Sequence, residues 1–453
     1  MKKGLSLILS AVLLTTGMGV GSFIPTLVTE TNVSAESNLK EYNGFQYVSN
    51  GSEITISGFT SECDIYNLVI PDSIDGLPVT RIKERSFTGI NTFKTIDLGR
   101  NVTMIEFDAF TYSPNLKQIT LPDNLKTFPT YSLTSVFGSD STPNSGHPCS
   151  FEKIIIPKTV KYISEDFLNP IARSGNNSSN ALGNLLEYQV DDENPYFSDI
   201  DGVLYSKDQT KLIKYPNGKG ITKFTVPDTV TQIKEDAFYK VRFTNIEYFD
   251  LGKNTMYLDK NSIVDILPWV EEFKLSHDLI DMGDELVNFK FRYKKLFISD
   301  SVTSIPNIFY YNASDLEDIV VDEGNNQYFS DSGVLYNKTD LVKCPPKKDI
   351  RTYDVKDKTK TIYADAFTET NIDSITIPAS VEKIYSTAFY NSTLKRIKGY
   401  ADTEAEVFAY NNKYEFINLG VVPPETNYNF DVNGDGIVNV VDLMLLINHL
   451  LGK

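Results

Sequence analysis

The stretch V-T-R-I-K-E-R-S-F at 79–87 returns 23 residues later as V-T-M-I-E-F-D-A-F at 102–110. Ile82 maps to Ile105, Phe87 to Phe110 and Ile96 to Ile119, each at the same step. An Ile four or five residues ahead of a Phe recurs as Ile163 with Phe167, Ile233 with Phe238, Ile305 with Phe309, Ile362 with Phe367 and Ile384 with Phe389. The last two units are offset by 22. Fixed steps exclude a chance run of similar amphipathic segments and mark a repeat architecture.

Ahead of many units lies a short run closed by proline: I-T-L-P at Pro122, I-I-I-P at Pro157, F-T-V-P at Pro227 and I-T-I-P at Pro378. Alternating apolar residues predict a short strand with one face buried, and proline ends the ladder because it has no N–H to donate. The following Ile and Phe are expected to fill the interior behind it. One short strand in every 20–29 residues is the leucine-rich-repeat signature. A single unit cannot bury its own apolar face, so stacking makes the core. The expected fold is a β-rich leucine-rich-repeat solenoid with short strands on its concave face and an irregular or short-helical convex side. Strand alternation places Lys117, Gln118, Thr120, Thr225 and Thr376 on the concave face.

The units resemble the bacterial BspA-like leucine-rich repeats, whose pattern runs I-x-I-P, a Val, an Ile and then A-F. V-P-D-T-V-T-Q-I-K-E-D-A-F at 226–238 and I-P-A-S-V-E-K-I-Y-S-T-A-F at 377–389 match closely, and the resemblance covers roughly 42–420. It implies a secreted or surface protein, several members of that family being adhesins. N-P-Y-F-S-D-I-D-G-V-L-Y from Asn194 and N-Q-Y-F-S-D-S-G-V-L-Y from Asn326 are expected to be hairpin insertions, near 194–216 and 326–346. The repeat is poorly kept over 239–296, where Trp269 is expected to be packed in an irregular unit. The stretch 138–150 reads as a polar loop, and A-E-V-F-A-Y at 405–410 predicts a capping helix.

Lys2 and Lys3 precede an apolar run, and V-S-A at 33–35 is the expected cleavage point, so residues 1–35 read as a secretory signal ahead of a membrane-anchor reading. The formal charge of −17 becomes about −18 once those residues are removed. Such a surface repels nucleic acid and anionic lipid. No second apolar segment has transmembrane length, so no membrane span is expected after cleavage. No cell-wall sorting motif lies near the C-terminus, so any attachment is expected to be non-covalent. Cys63, Cys149 and Cys344 are sparse and odd in number, which is no disulfide framework.

Pro423 and Pro424 mark a linker over 421–430. Beyond it, D-V-N-G-D-G-I-V-N-V-V-D runs from Asp431 to Asp442. Asp431, Asn433, Asp435, Asn439 and Asp442 fall at loop positions 1, 3, 5, 9 and 12, Ile437 offers a carbonyl at 7, and Gly436 makes the turn at 6. These are hard oxygen donors for a hard cation, Ca²⁺. The prolines exclude an ordinary entering helix, and position 12 is Asp where Glu is usual. Both departures resemble the F-hand of a type I dockerin, the module that docks cellulosomal proteins onto cohesin domains of a scaffold. That resemblance assigns 431–453 to the module and places cohesin contacts on Val440, Val441, Ile447 and Asn448. The exiting segment 440–451 is apolar on nearly every face, which calls for a covering partner. Dockerins carry two F-hands and one is present here. Either a second is expected beyond Lys453, which is the favoured reading, or the module is a half-plug.

No catalytic constellation is seen. His147, His277 and His449 are scattered, and no G-x-S-x-G, H-E-x-x-H or P-loop occurs. His147 with Cys149 is weak geometry for a thiol nucleophile beside its base. Two functions compete. The first is a non-catalytic, extracellular interaction or adhesion protein, docked by its F-hand and presenting a repeat face to an unknown protein or glycan. The second is a carbohydrate-binding or polysaccharide-degrading cellulosome component, favoured by 26 Tyr and 27 Phe and disfavoured by the single Trp. Calorimetry is expected to show calcium binding that disappears in the Asp431→Ala, Asp442→Ala double variant. No heat from the natural sequence removes the assignment.

Overall fold

A computed structural model of the chain describes residues 39–422 apart from 107, 111–112, 124–150, 164, 169–181, 240, 242–245, 260, 264 and 281–290. Through them the chain winds as a β-solenoid with few helices. The proline-closed runs form parallel strands one turn apart. Asn67–Val69, Thr95–Asp97, Gln118–Thr120, Lys153–Ile156 and Glu187–Val190 pair in that order. Their register sets Leu68, Ile96, Ile119, Ile154 and Tyr188 in one row, each almost wholly buried. A second such sheet aligns Phe224, Phe249, Phe273, Leu296 and Ile319. A third aligns Tyr353, Ile375, Ile397 and Phe416.

Read from sequence alone, each period holds one strand; the structure has a second. The repeated Ile is itself a strand residue: Ile82 pairs with Ile105, Ile233 stands between Leu212 and Leu258, and Ile362 between Leu341 and Ile384. Most of these strands are two residues long, such as Met104–Ile105 and Gln232–Ile233. Two residues contain no alternation to read, so only stacking against the neighbouring turn defines them.

The A-F pair forms the corner after the second strand. Phe87 and Phe110 stack with ring centroids 5.2 Å apart, and Phe367 and Phe389 with 5.1 Å. The Phe87 N–H donates to the Ala109 carbonyl at 2.8 Å and the Phe367 N–H to that of Ala388 at 2.7 Å. Ala109, Ala237, Ala366 and Ala388 are fully buried, so a larger side chain there would wedge the turns apart. The residue before the alanine turns through the left-handed region at Asp108, Asp236 and Asp365, with φ of 58°, 54° and 56°. Aspartate tolerates that conformation better than most residues, which accounts for D-A-F.

Two three-stranded hairpins interrupt the winding: Phe197–Ile200, Val203–Ser206 and Lys211–Lys214, then Tyr328–Asp331, Val334–Asn337 and Asp340–Lys343. Their equivalence is one residue away from the match that the shared Y-F-S-D invites. Asn194 corresponds to Asn325, not to Asn326. The Asn194 amide donates to the Pro157 and Val160 carbonyls (2.8 and 3.0 Å), and that of Asn325 to Ser299 and Val302 (2.7 and 2.8 Å). Phe197 therefore corresponds to Tyr328. A one-residue slip turns every side chain to the other face, and Phe329 is left half-exposed, stacked on Tyr336 at 4.9 Å.

Each hairpin tip closes on the last strand of a long sheet. The Tyr188 N–H donates to the Gly202 carbonyl at 2.9 Å and the Ile319 N–H to that of Gly333 at 3.3 Å. Both glycines have positive φ (74° and 79°), and a Cβ on Gly202 would stand 2.7 Å from the Glu187 Cβ. The middle strands V-L-Y are buried on both faces. Leu204 joins the core cluster of the preceding turns while Val203 and Tyr205 join the next, and Leu335 splits from Val334 and Tyr336 in the same way.

The predicted capping helix is present as Glu404–Asn412, longer than the quoted run, and buries Ala405, Phe408 and Ala409. It ends at Lys413 in the left-handed conformation, and Glu415–Asn418 then adds a last parallel strand beside Arg396–Gly399. Phe367→Ala is expected to cost about 3–5 kcal/mol in a urea or thermal melt, because the stacked ring leaves a cavity between turns. Asp365→Gly is expected to stay within about 1 kcal/mol of the parent while Asp365→Val falls below it, since only the latter strains a positive φ.

Candidate functional site

The expected calcium donors Asp431, Asn433, Asp435, Ile437, Asn439 and Asp442 lie outside the described residues, as do the expected cohesin contacts Val440, Val441, Ile447 and Asn448, the expected signal segment, His147, Cys149 and His449. The donor set is oxygen only, three carboxylates among it, which fits Ca²⁺ and not a softer metal. Among the described residues no group of three or more His, Cys, Asp or Glu is placed to hold a metal. Cys63 and Cys344 are buried and free, and burial pushes the Cys344 thiol up to about 12, so neither is an activated nucleophile.

The surface that remains is the outward face of the long sheets. Gln118 and Thr120 flank buried Ile119 there, Thr225 is exposed beside Phe224, and Thr376 stands half-buried next to Ile375. Charged pairs cross this face from turn to turn: Lys153 with Glu187 at 2.6 Å, Lys223 with Glu247 at 3.3 Å, Lys295 with Glu272 at 3.4 Å and Lys274 with Asp250 at 3.2 Å. Exposed pairs each contribute about 1 kcal/mol or less, so they leave the face polar without fixing the fold. Asp250 is the buried exception. It also accepts from the Ser276 hydroxyl at 2.7 Å and the Gly252 N–H at 2.8 Å, which fills its oxygens and makes it a structural node. Tyr248 donates to it at 3.2 Å; burial first, then the Asp250 charge, hold that phenol far above its ordinary pKa.

Just ahead of the strands runs a row with one residue per turn. The Tyr66 carbonyl accepts the N–H groups of Lys94 and Thr95, the Lys94 carbonyl those of Lys117 and Gln118, and the Lys117 carbonyl those of Glu152 and Lys153, all between 2.7 and 3.2 Å. The row continues through Leu186, which donates to the Glu152 carbonyl at 2.8 Å. Beside its first three residues lies an open recess of about 420 Å³, lined by Tyr66, Asn91, Thr92, Lys94, Asn115 and Lys117. Tyr66 is 52% exposed, with the Lys94 ammonium 5.8 Å from its ring centroid. The sequence reading singled out Lys117 alone of these six. Tyr66 was legible only as an aromatic directly ahead of an outward strand position.

Trp269, expected to be packed, is 49% exposed. It closes the short 3₁₀ turn Leu267–Trp269, and the strand that follows begins by turning Val270 inward, which leaves the indole outside. The His277 Nδ1 lies 3.1 Å from the Asp278 carbonyl, and the neighbouring Ser276 hydroxyl donates to Asp250.

Two lysines are almost completely buried, one per hairpin, and sequence reading missed both. Lys214 donates to the Asp236 carbonyl and Lys343 to the Asp365 carbonyl, each at 2.8 Å. These are the carbonyls of the left-handed corner residues. Burial pushes Lys214 down to about 7 and Lys343 to about 8. Lowered amines can mark a catalytic site. Here the identical placement in both hairpins, pointing at backbone, makes them braces between hairpin and corner.

A model of the BspA type leucine-rich repeat region matches residues 30–141, 215–341 and 346–421 in six copies. A model of the type I dockerin domain matches residues 415–453. No curated protein matches the chain. Similar solved structures include a leucine-rich repeat protein from Eubacterium ventriosum (17% identity, 78% of this chain and 94% of that one, TM-score 0.34). Another comes from Bacteroides ovatus (15%, 84% and 99%, 0.42). A third is the pneumococcal vaccine antigen PcpA (14%, 85% and 98%, 0.30).

The buried amines predict a pH effect on stability. Their folded pKa values lie below the unfolded value near 10.4, so from about pH 7 upward the unfolded chain binds more protons and stability rises. Below about pH 7 both states are protonated and the fold carries the full cost of the buried charge. Lys214→Met is therefore expected to raise the melting temperature at pH 6, with a gap to the parent that shrinks or reverses by pH 9. A gap that does not change with pH would show that Lys214 is not the titrating group.

Proposed function

The chain belongs to the BspA-type leucine-rich repeat proteins, and we propose that it is a secreted, non-catalytic interaction protein tethered by its C-terminal segment. The observation that carries this reading is the dockerin match at 415–453 on a segment that holds six oxygen donors at calcium-loop spacing. In this reading Asp431, Asn433, Asp435, Asn439 and Asp442, with the Ile437 carbonyl, bind Ca²⁺ and order the loop. Three carboxylates in one short loop repel one another until the cation neutralises them. The ordered loop presents Val440, Val441, Ile447 and Asn448 as an apolar contact for a cohesin domain. The repeat array is then the cargo, carried outside the cell on the scaffold that the cohesin belongs to.

The geometry of the described residues supports a binding role over a chemical one. The two buried amines donate to backbone carbonyls, the Tyr248 phenol donates to the satisfied Asp250 carboxylate, and the Cys63 and Cys344 thiols are buried. Immobilised type I cohesin is expected to retain the full chain in calcium and release it on chelation. Val440→Asp with Val441→Asp is expected to abolish retention while leaving calcium binding in place. Retention that ignores chelator, or none on any type I cohesin, overturns the reading.

A further inference from the structure

We propose that the recess at the start of the array binds a sugar residue carrying a carboxylate, at the end of, or singly within, an otherwise neutral glycan. The inference names a ligand class for the array and rests on reading the array as the ligand-binding part.

Along the row ahead of the strands, a cation is met by a carboxylate on an adjoining turn. Lys117 pairs with Glu152, Lys294 with Glu271 at 3.8 Å, and Arg351 and Lys395 with Asp373 at 3.6 and 3.4 Å. Lys94 breaks the pattern. Its neighbours on the row are Tyr66 and Lys117, and no ion pair of Lys94 occurs among the described residues. Asp64, close in sequence, spends a carboxylate oxygen on the Tyr66 and Asn67 N–H groups at 2.7 and 3.0 Å. Along this row Lys94 is the cation left without a carboxylate partner among the described residues, and an anionic ligand would supply the counter-charge.

The surroundings narrow the anion. The half-exposed Tyr66 ring offers an apolar face at the rim of the recess, which suits the C–H face of a pyranose. Asn91, Thr92 and Asn115 supply amide and hydroxyl groups for sugar hydroxyls, and Asn115 is fixed by its bond to the Asn91 carbonyl at 2.7 Å. A bare inorganic anion makes no use of the ring, and a neutral sugar leaves the ammonium without a counter-charge. A polyanionic chain would be repelled by the rest of the surface, so a single acidic residue fits best.

The test uses the full chain and two disaccharides that differ only in a terminal glucuronate or glucose, followed by calorimetry and saturation-transfer NMR. Preference for the glucuronate form is expected. Lys94→Met is expected to weaken that form about tenfold and the glucose form little, while Tyr66→Ala weakens both. Tyr162→Ala, at an exposed tyrosine elsewhere on the array, is expected to change neither. Equal affinity for the two sugars, a preference that survives Lys94→Met, no binding, or displacement by inorganic phosphate with Tyr66→Ala unaffected each overturns the proposal. Cohesin retention measured on the same preparations reports on the tether separately.

Discussion

Everything in this protein depends on the fact that no turn can bury its own apolar residues. A turn contributes one inward residue from its long strand, one from its short strand and an A-F corner. Each meets its equivalent on the next turn: Ile96 with Ile119, Ile82 with Ile105, Phe87 with Phe110. Burial of this kind stabilises by roughly 1.5–3 kcal/mol for each large side chain, and only when a neighbour is present to supply the cover. The ladder hydrogen bonds follow the same rule, since parallel strands this short pair only across turns. Sequence periodicity is therefore the direct imprint of a packing requirement: the step is the length of chain needed to return to the same row.

That explains what is readable in the sequence. Ile and Phe at a constant step state the rows, and proline after the third strand position states where the ladder stops. The second strand was hidden because its two residues form no pattern of their own. The hairpins were visible as insertions, and the anchoring asparagines, Asn194 and Asn325, set their register through four hydrogen bonds each. Trp269 was misjudged because alternation had to be counted from Val270, whose strand lies in the poorly kept stretch. The recess was illegible for a different reason. Its residues come from three turns, and no single unit contains enough of it to stand out.

The charge pattern has the same origin. Outward positions of a solenoid lie in rows with neighbours about one strand spacing apart, so a lysine on one turn sits within reach of whatever the next turn carries. Opposite charges across turns relieve the repulsion that a strongly acidic chain would otherwise build along a row. Along the row ahead of the strands, where the other cations meet a carboxylate on an adjoining turn, Lys94 is the one that does not.

The hairpins give the array its longer-range organisation. A solenoid of identical turns would present one uninterrupted sheet with an open edge at either end, and open edges invite pairing with other chains. Here each hairpin tip closes against the last strand of a long sheet, at Tyr188 and at Ile319, and the next sheet begins afresh at Lys223 and at Thr352. The middle strand keeps the core continuous across the break because its alternating side chains serve both sides, Leu204 behind and Val203 ahead. Lys214 and Lys343 then tie the hairpin to the following corner through backbone carbonyls that no side-chain substitution can remove. The outward surface is thereby divided into separate sheets of four or five strands, each free to carry its own side-chain chemistry while the interior rows stay in register.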